Sequence, residues 1–149
     1  MIALDTNLLV YAHRAGVQQH RQAIEAIDRA INQPLGWGVS APCIAEFWAV
    51  VTHPSCEGGP SSPAQAAEFI LRLLEDGAGK LWHPGPGFGL RLIQRASDIR
   101  LSGKRIFDLQ IALVAYENGA SEMWSHDHNF VCVPGLKLCN PFAPEDCRP

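Results

Sequence analysis

Short apolar segments of strand length alternate with longer helix-like segments along this chain, and this alternation limits the folds open to it. Strands are predicted at residues 2–4, 37–40, 80–83, 122–125 and 136–139. Helices are predicted at residues 7–13, 18–32, 41–53, 63–75, 88–100 and 106–118. This order favours an α/β fold in layers, with a mostly parallel central sheet of four to five strands flanked by helices.

The size and bulk composition of the chain indicate one globular domain. It has 149 residues, of which 47% are hydrophobic, as is typical of soluble domains. No apolar run approaches the ~18 residues of a membrane span, and the amino terminus lacks the pattern of a signal peptide. We therefore expect no membrane association, a cytoplasmic location and reduced thiols at the five cysteines, with a disulfide among Cys132, Cys139 and Cys147 as the alternative.

The charge of the chain limits how it could bind nucleic acid. Its formal net charge of −3 argues against a broad binder that ignores sequence. A nuclease stays open, because it needs only a local acidic metal site and a nearby basic rim. Arg100, Lys104 and Arg105 are candidates for an RNA-binding rim. A solvated helix face explains the same residues equally well, so both interpretations stay open.

Four acidic residues occupy unusual places relative to the predicted strands and helices. Asp5 comes directly after the first strand and Asp127 directly after the fourth, whereas Glu46 and Asp108 lie within otherwise apolar helical segments. Parallel α/β sheets bind ligands beyond the carboxyl ends of their strands, at a topological switch point. If strands one and four are neighbours, Asp5 and Asp127 therefore point into one crevice.

Each of these acids also has a local explanation that requires no ligand. Asp5 could cap the helix that follows it, and Asp108 could interact with the positive end of its own helix. Glu46 could lie on a narrow stripe facing solvent, and Asp127 could form an Asx turn. Taken together, the four acids favour a shared site, because buried carboxylates are costly unless they are paired or bind a cation.

A shared acidic site has a definite chemistry. Four carboxylates in one crevice would repel one another and raise their own pKa values. A divalent cation removes that penalty, and oxygen ligands with few histidines suit Mg²⁺ or Mn²⁺ rather than zinc. Such a site suits the hydrolysis of phosphodiesters, in which the metal polarises the phosphoryl oxygen and lowers the pKa of bound water.

The order and spacing of these residues resemble the PIN domain family and, more closely, its VapC toxins. The residues that carry the resemblance are, in chain order, Asp5-Thr6-Asn7, Glu46, Asp108, Ser125, Asp127 and Phe130. The resemblance covers residues 1–142, which are expected to form a PIN-like nuclease domain, followed by a tail at residues 143–149.

The resemblance implies a three-layer PIN-like fold and an endoribonuclease that depends on Mg²⁺ or Mn²⁺. It also implies the toxin of a type II toxin–antitoxin pair, a homodimer that acts on RNA and is held inactive by a cognate antitoxin protein. The four acids match the family's catalytic and metal-binding quartet, and Thr6, Asn7 and Ser125 match its supporting positions. Asp5 and Asp108 are the firmest ligands, whereas direct binding, water-mediated binding and orientation of the nucleophile all stay open for Glu46 and Asp127.

Two other functions stay open at this stage. A phosphatase with an aspartyl nucleophile would also place Asp5 after the first strand, but Asn7 stands where that class needs a second aspartate. A catalytically silent module that only binds a partner is the other alternative. Such a module has no need to keep four acids together, which favours the nuclease.

Histidine and tryptophan side chains near the acids are given structural roles. His126 and His128 are expected to be exposed loop residues on either side of Asp127, with contact to a phosphate or base as the alternative. Trp48, close to Glu46 in an apolar helix, is expected in the core or in an interface.

Overall fold

The computed structural model of the chain describes residues 1–56 and 58–143. Its strands are β1 (Ile2–Leu4), β2 (Trp37–Ser40), β3 (Lys80–Trp82), β4 (Glu122–Trp124) and β5 (Lys137–Cys139). Its helices are α1 (Thr6–His13), α2 (His20–Ile31), α3 (Ala41–Val51), α4 (Pro63–Asp76), α5 (Phe88–Asp98) and α6 (Ile106–Glu117), with a 3₁₀ helix at Gly103–Arg105 before α6. Every predicted element is present, and most bounds agree within two residues.

The strands form one parallel sheet in the order β3-β2-β1-β4-β5. The chain moves outward from β1 through β2 to β3, then crosses back and continues on the other side of β1 with β4 and β5. Strands β1 and β4 are neighbours, with Leu4 opposite Trp124. The switch point therefore lies between the carboxyl ends of β1 and β4, where the sequence placed it.

The burial of the central strands shows that both faces of the sheet are covered. All residues of β1 and β2 are buried, although successive side chains of a strand point to opposite faces. A sheet buried on both faces needs helices on both sides, as is usual for parallel sheets. The three-layer α/β class expected from the sequence is confirmed.

Local sequence signals mark the start of α4 and the end of α6. Ser62 caps α4 in a capping box with Gln65, in which each side chain accepts a hydrogen bond from the other residue's backbone N–H, and Pro63 is the first helical residue. Gly119 follows α6 with a φ of +88°. This left-handed conformation favours glycine and ends the helix.

Three other expectations from the sequence concern membrane-spanning helices, the cysteine thiols and the carboxyl-terminal tail. The described residues contain no helix that is both long and apolar enough to cross a membrane. Cys43, Cys56 and Cys132 are free thiols as expected, but the expectation was wrong at Cys139, which is disulfide-bonded. Most of the predicted tail, residues 144–149, lies outside the described residues.

Candidate active site

Asp5 lies at the carboxyl end of β1 and is fixed by three hydrogen-bond donors. The residue is only 5% exposed. Its Oδ1 accepts a hydrogen bond of 2.7 Å from the backbone N–H of Thr6, so the predicted cap of α1 is present. Its Oδ2 accepts hydrogen bonds of 2.6 Å from Asn7 Nδ2 and from Ser125 Oγ. These donors hold the carboxyl group in one orientation.

A hydrogen-bond network around Asp5 joins the ends of β1 and β4. Ser125 Oγ, which donates to Asp5, accepts from Asn7 Nδ2 at 2.9 Å and from the Asp127 N–H at 3.0 Å. Asn7 Oδ1 accepts from the His126 N–H at 3.3 Å. The hydroxyl of Ser125 thus uses its one donor and two acceptors. Two of the supporting residues named from the sequence, Asn7 and Ser125, therefore link Asp5 to the loop that carries Asp127.

Glu46 reaches the site from α3 and is tied to the first acid through Thr6. Its Oε2 accepts a hydrogen bond of 2.6 Å from Thr6 Oγ1. The apolar sequence around Glu46 suggested burial, but Glu46 lies on an exposed face of α3, where Trp48 and Val50 are 38% and 42% exposed. The helix buries only one face, formed by Cys43, Phe47 and Val51. Glu46 therefore lies on a solvent-facing stripe of α3, which was one of the two interpretations of its sequence position.

Asp108 and Asp127 complete the acidic set from the other side of the switch point. Asp108 lies in the first turn of α6, is half-buried and accepts a hydrogen bond from the backbone of Val131. Asp127 is exposed, and its Oδ1 accepts a hydrogen bond of 2.8 Å from the Asn129 N–H. This contact is the Asx turn expected for Asp127.

One cavity of about 310 Å³ at the switch point, here called the acidic cavity, brings the four acids together. It is lined by Asp5, Thr6, Asn7, Val10, Tyr11, Glu46, Val50, Asp108, Asp127 and Phe130. Within residues 1–56 and 58–143, no group of three or more histidine, cysteine, aspartate or glutamate side chains is arranged so that it could hold an ion. The carboxylates thus share the cavity without standing in ligating positions.

The acids influence one another electrostatically. Burial raises the pKa of Asp5 to about 7, and the negative charges of Glu46 and Asp108 add to this, while the hydrogen bonds from Ser125 and Thr6 oppose it. Burial also raises the pKa of Asp108, helped by the charges of Asp127 and Glu46 and opposed by the Val131 hydrogen bond and the Arg105 charge. The repulsion predicted from the sequence is present at both residues.

The chemistry of the donor set in the acidic cavity suits a hard divalent cation, although the carboxylates do not stand in ligating positions. Its ionisable groups near the switch point are mainly carboxyl groups, which are the ligands that Mg²⁺ and Mn²⁺ prefer. A cation would also relieve the repulsion that adds to the effect of burial on the pKa values of Asp5 and Asp108. The geometry disfavours an aspartyl nucleophile, because both oxygens of Asp5 accept hydrogen bonds and Asn7 donates one of them.

Tyr11 is a site residue that the sequence did not identify. It lines the acidic cavity one helical turn after Asn7, so the spacing of four residues on one face of α1 was the available signal. Burial and the charges of Asp5 and Asp127 raise the pKa of Tyr11. The ring also contacts His126, with 6.0 Å between centroids.

His126 is less exposed than the sequence suggested. Its ring packs against Phe142, with 4.7 Å between centroids, as well as against Tyr11. His126 is therefore part of an aromatic cluster, and only His128 fits the expectation of an exposed loop histidine.

The predicted basic rim is divided in the structure. Arg105 donates a hydrogen bond of 2.7 Å to the carbonyl oxygen of Asn129, and its charge lowers the pKa of Asp108. Arg105 therefore lies beside the acidic cavity. Arg100 and Lys104 are exposed, which suits a rim and a solvated surface equally.

The parallel sheet, the switch point and the ordered acids together define a PIN domain. The family model described as PIN domain matches residues 2–136, and the chain belongs to this family.

Curated relatives and solved structures agree with this assignment. Ribonuclease VapC43 of Mycobacterium tuberculosis (strain ATCC 25618 / H37Rv) is 32% identical over 141 residues, which cover 95% of each chain. The crystal structure of the sarcin–ricin loop cleaving toxin VapC20 of Mycobacterium tuberculosis has a TM-score of 0.67 and 14% identity, covering 87% of this chain and 92% of VapC20. The structure of VapBC2 from Rickettsia felis, bound to a promoter DNA fragment, has a TM-score of 0.60 and 20% identity, covering 93% and 97%. At these identities the two solved structures show the fold.

Proposed function

We propose that this protein is an endoribonuclease that hydrolyses phosphodiester bonds of RNA with Mg²⁺ or Mn²⁺ in the acidic cavity. The observation that carries the proposal is that Asp5, Glu46, Asp108 and Asp127, from four separate segments, line one cavity at the switch point. The relative VapC43 is named a ribonuclease, which supports the same reaction.

The residues of the cavity have distinct parts in this chemistry. Asp5, Glu46, Asp108 and Asp127 are the residues that would hold a divalent cation once their side chains move into ligating positions, and the bound cation would supply the charge that polarises the phosphoryl oxygen and activates water. Asn7 and Ser125 donate to Asp5, so the carboxylate that faces the cavity is held in place before substrate arrives. Groups that are already oriented cost little reorganisation during the reaction. Thr6 holds Glu46 in the same way.

We further propose that the protein is a toxin restrained by a cognate antitoxin. VapC20 is named as a toxin, and VapBC2 was solved on DNA from its own promoter. An apolar groove of about 360 Å³ adjoins the acidic cavity through Glu46 and offers a docking site for such a partner. It is lined by Pro42, Ala45, Glu46, Ala49, Phe107, Gln110 and Ile111. We propose a homodimer that acts in the cytoplasm, where RNA is available.

The test of the reaction uses metal removal and one matched pair of variants. Purified protein is incubated with structured RNA and Mg²⁺ or Mn²⁺, with and without EDTA. EDTA should abolish cleavage, and Asp108→Asn should lower the rate by at least ~100-fold, because the metal supplies most of the catalysis. Asp76→Asn is the control, since it makes the same charge change at an exposed residue at the end of α4.

Two outcomes would contradict the proposal. One is cleavage that is unchanged in EDTA. The other is an equal rate for Asp108→Asn and Asp76→Asn. If no RNA is cleaved, calorimetry with Mn²⁺ separates the remaining cases, because absence of binding at millimolar metal favours the silent partner-binding module.

A further inference from the structure

A second cavity lies directly beside the acidic cavity. It measures about 700 Å³ and is formed by the end of α1, the turn after it and the loop before α4. We call it the Arg14 cavity; it is lined by Tyr11, His13, Arg14, Ala15, Gly16, Val17, Gln18, Gln19, Gly58 and Ser61. Tyr11 lines both cavities, so they are adjacent.

The two cavities differ in charge. The acidic cavity has four carboxylates, whereas none of the described residues that line the Arg14 cavity is acidic. An RNA strand carries a negative charge at every phosphate, and binding rests largely on cations that neutralise those charges. A strand that enters the acidic cavity therefore needs a cationic neighbour for its adjoining phosphates. The Arg14 cavity provides one next to the acidic cavity.

Arg14 is a fixed cation rather than a mobile surface charge. Its Nη1 donates to the Gly59 carbonyl oxygen at 2.7 Å, and its Nη2 lies 2.8 Å from the Val51 carbonyl oxygen and 2.6 Å from Cys56 Sγ. Its Nε is buried and has no partner within residues 1–56 and 58–143. All of these acceptors are uncharged groups, and in that part of the chain the ion pairs involve other arginines. The guanidinium is thus held in place, and no carboxylate in that part of the chain neutralises its positive charge in an ion pair.

We infer that the Arg14 cavity binds the nucleotide next to the scissile phosphodiester, with the flanking phosphate facing Arg14 and the sugar or base against Tyr11. The inference rests on the proposed ribonuclease activity and adds a second binding site to it. The volume lies within the range that holds small ligands. Aromatic rings such as Tyr11 are common stacking surfaces for the bases of single strands.

The test changes the charge of the Arg14 cavity without touching the acids. Gln18 is an exposed residue that lines the cavity. Gln18→Glu should raise KM for a single-stranded RNA about fivefold with little change in kcat, equivalent to about 1 kcal/mol of binding, and Gln18→Lys should lower KM. The matched controls are Gln33→Glu and Gln33→Lys, at an exposed residue beside the amino end of β1.

A second variant addresses Arg14 itself. Arg14→Gln should weaken binding of a fluorescent single-stranded RNA measured in EDTA, where nothing is cleaved. The slope of log Kd against log salt should fall by about 0.7, the value for one lost phosphate contact to a single strand. A thermal melt of Arg14→Gln checks folding, and the Gln18 variants carry the test if that variant melts early.

The outcomes separate this inference from the proposed function. If wild-type protein cleaves RNA but the Gln18 and Gln33 variants change KM equally, or not at all, the Arg14 cavity is not a substrate site and the ribonuclease proposal stands. If wild-type protein cleaves no RNA in Mg²⁺ or Mn²⁺, the proposed ribonuclease function is wrong, whatever the Arg14 cavity binds. The EDTA binding assay then still decides whether RNA contacts the Arg14 cavity.

Discussion

Asp5 combines two functions that the sequence presented as alternatives. It caps α1 through Thr6 and it also lines the acidic cavity. Both follow from its position directly after β1, where the chain turns into a helix at the switch point. The cap fixes the carboxyl group, but burial and neighbouring charges oppose its ionisation. The protein therefore holds a carboxylate where ionisation is unfavourable without a cation.

The raised pKa of Asp5 predicts how metal-free stability depends on pH. The pKa rises from 3.8 to about 7 on folding, so the folded state binds more protons than the unfolded state between these values. The free energy of unfolding should therefore fall as pH rises from about 4 to about 7, on the order of 3 kcal/mol, and then level off. Urea unfolding in EDTA across this range measures it.

Asp5→Asn provides the comparison for this prediction. The variant has no ionisable group at position 5, so its stability should fall much less over the same pH range. Other carboxyl groups contribute to both proteins, and the difference between the two curves isolates Asp5. Identical slopes for the wild type and Asp5→Asn would show that Asp5 ionises normally in the folded protein.

At the scale of single elements, α3 shows where a sequence pattern is insufficient. Its run of apolar residues predicted a buried helix, and the helix itself was predicted correctly. Nevertheless Trp48 and Val50 are exposed, because only one face of α3 packs against the rest of the protein. Apolar composition does not reveal which face lacks a neighbour; that depends on the three-dimensional arrangement. The exposed face is the one that carries Glu46 into the acidic cavity.

The capping box of α4 provides a test of local stability. Ser62 Oγ accepts a hydrogen bond of 3.2 Å from the Gln65 N–H at the first turn of the helix. Ser62→Ala removes this acceptor and should lower the free energy of unfolding by about 1 kcal/mol. Ser97→Ala, at an exposed position within α5, should leave stability unchanged or slightly raised. Equal effects in urea unfolding would mean that the cap contributes nothing.

The exposed apolar face of α5 provides a test of self-association. Leu90 and Ile93 are 76% and 67% exposed and lie three residues apart on one side of the helix. If the protein is a homodimer, this face is a suitable interface, and Leu90→Glu should shift sedimentation toward the monomer. Leu71→Glu is the control, because Leu71 is an exposed leucine, at 57%, on another helix. A dimer that persists in Leu90→Glu would place the interface elsewhere.

At the scale of the whole molecule, the sequence predicted where the acidic cavity lies on the sheet, but it did not predict the Arg14 cavity beside it. Strand and helix signals are local, and the rule for parallel sheets then placed Asp5 and Asp127 at one edge. The Arg14 cavity had no such signal. Its walls come from the end of α1 and a loop more than forty residues later in the chain, and Arg14 joins them through its contacts with Val51 and Gly59. Contacts of this kind depend on how separate segments pack.

If the acidic cavity binds a cation as proposed, the stability of the whole protein should depend on metal. A cation that binds only the folded state raises the free energy of unfolding by RT ln(1 + [L]/Kd), about 2.7 kcal/mol at 100 times Kd. MgCl₂ should therefore raise the melting temperature in a saturable way, whereas NaCl of equal ionic strength should not. The same cation should reduce the loss of stability with pH, because it favours the ionised form of Asp5.

Asp108→Asn distinguishes a ligand from a structural acid. The substitution removes one negative charge from the acidic cavity, so it should raise the melting temperature in EDTA and weaken the response to MgCl₂. Asp76→Asn, remote from the acidic cavity, should keep the wild-type response. A clear loss of stability in EDTA would instead mean that the hydrogen bond between Asp108 and Val131 outweighs the repulsion from Glu46 and Asp127. In that case the main role of Asp108 would be to hold α6 against the loop before β5, and its part in metal binding would need separate evidence from calorimetry.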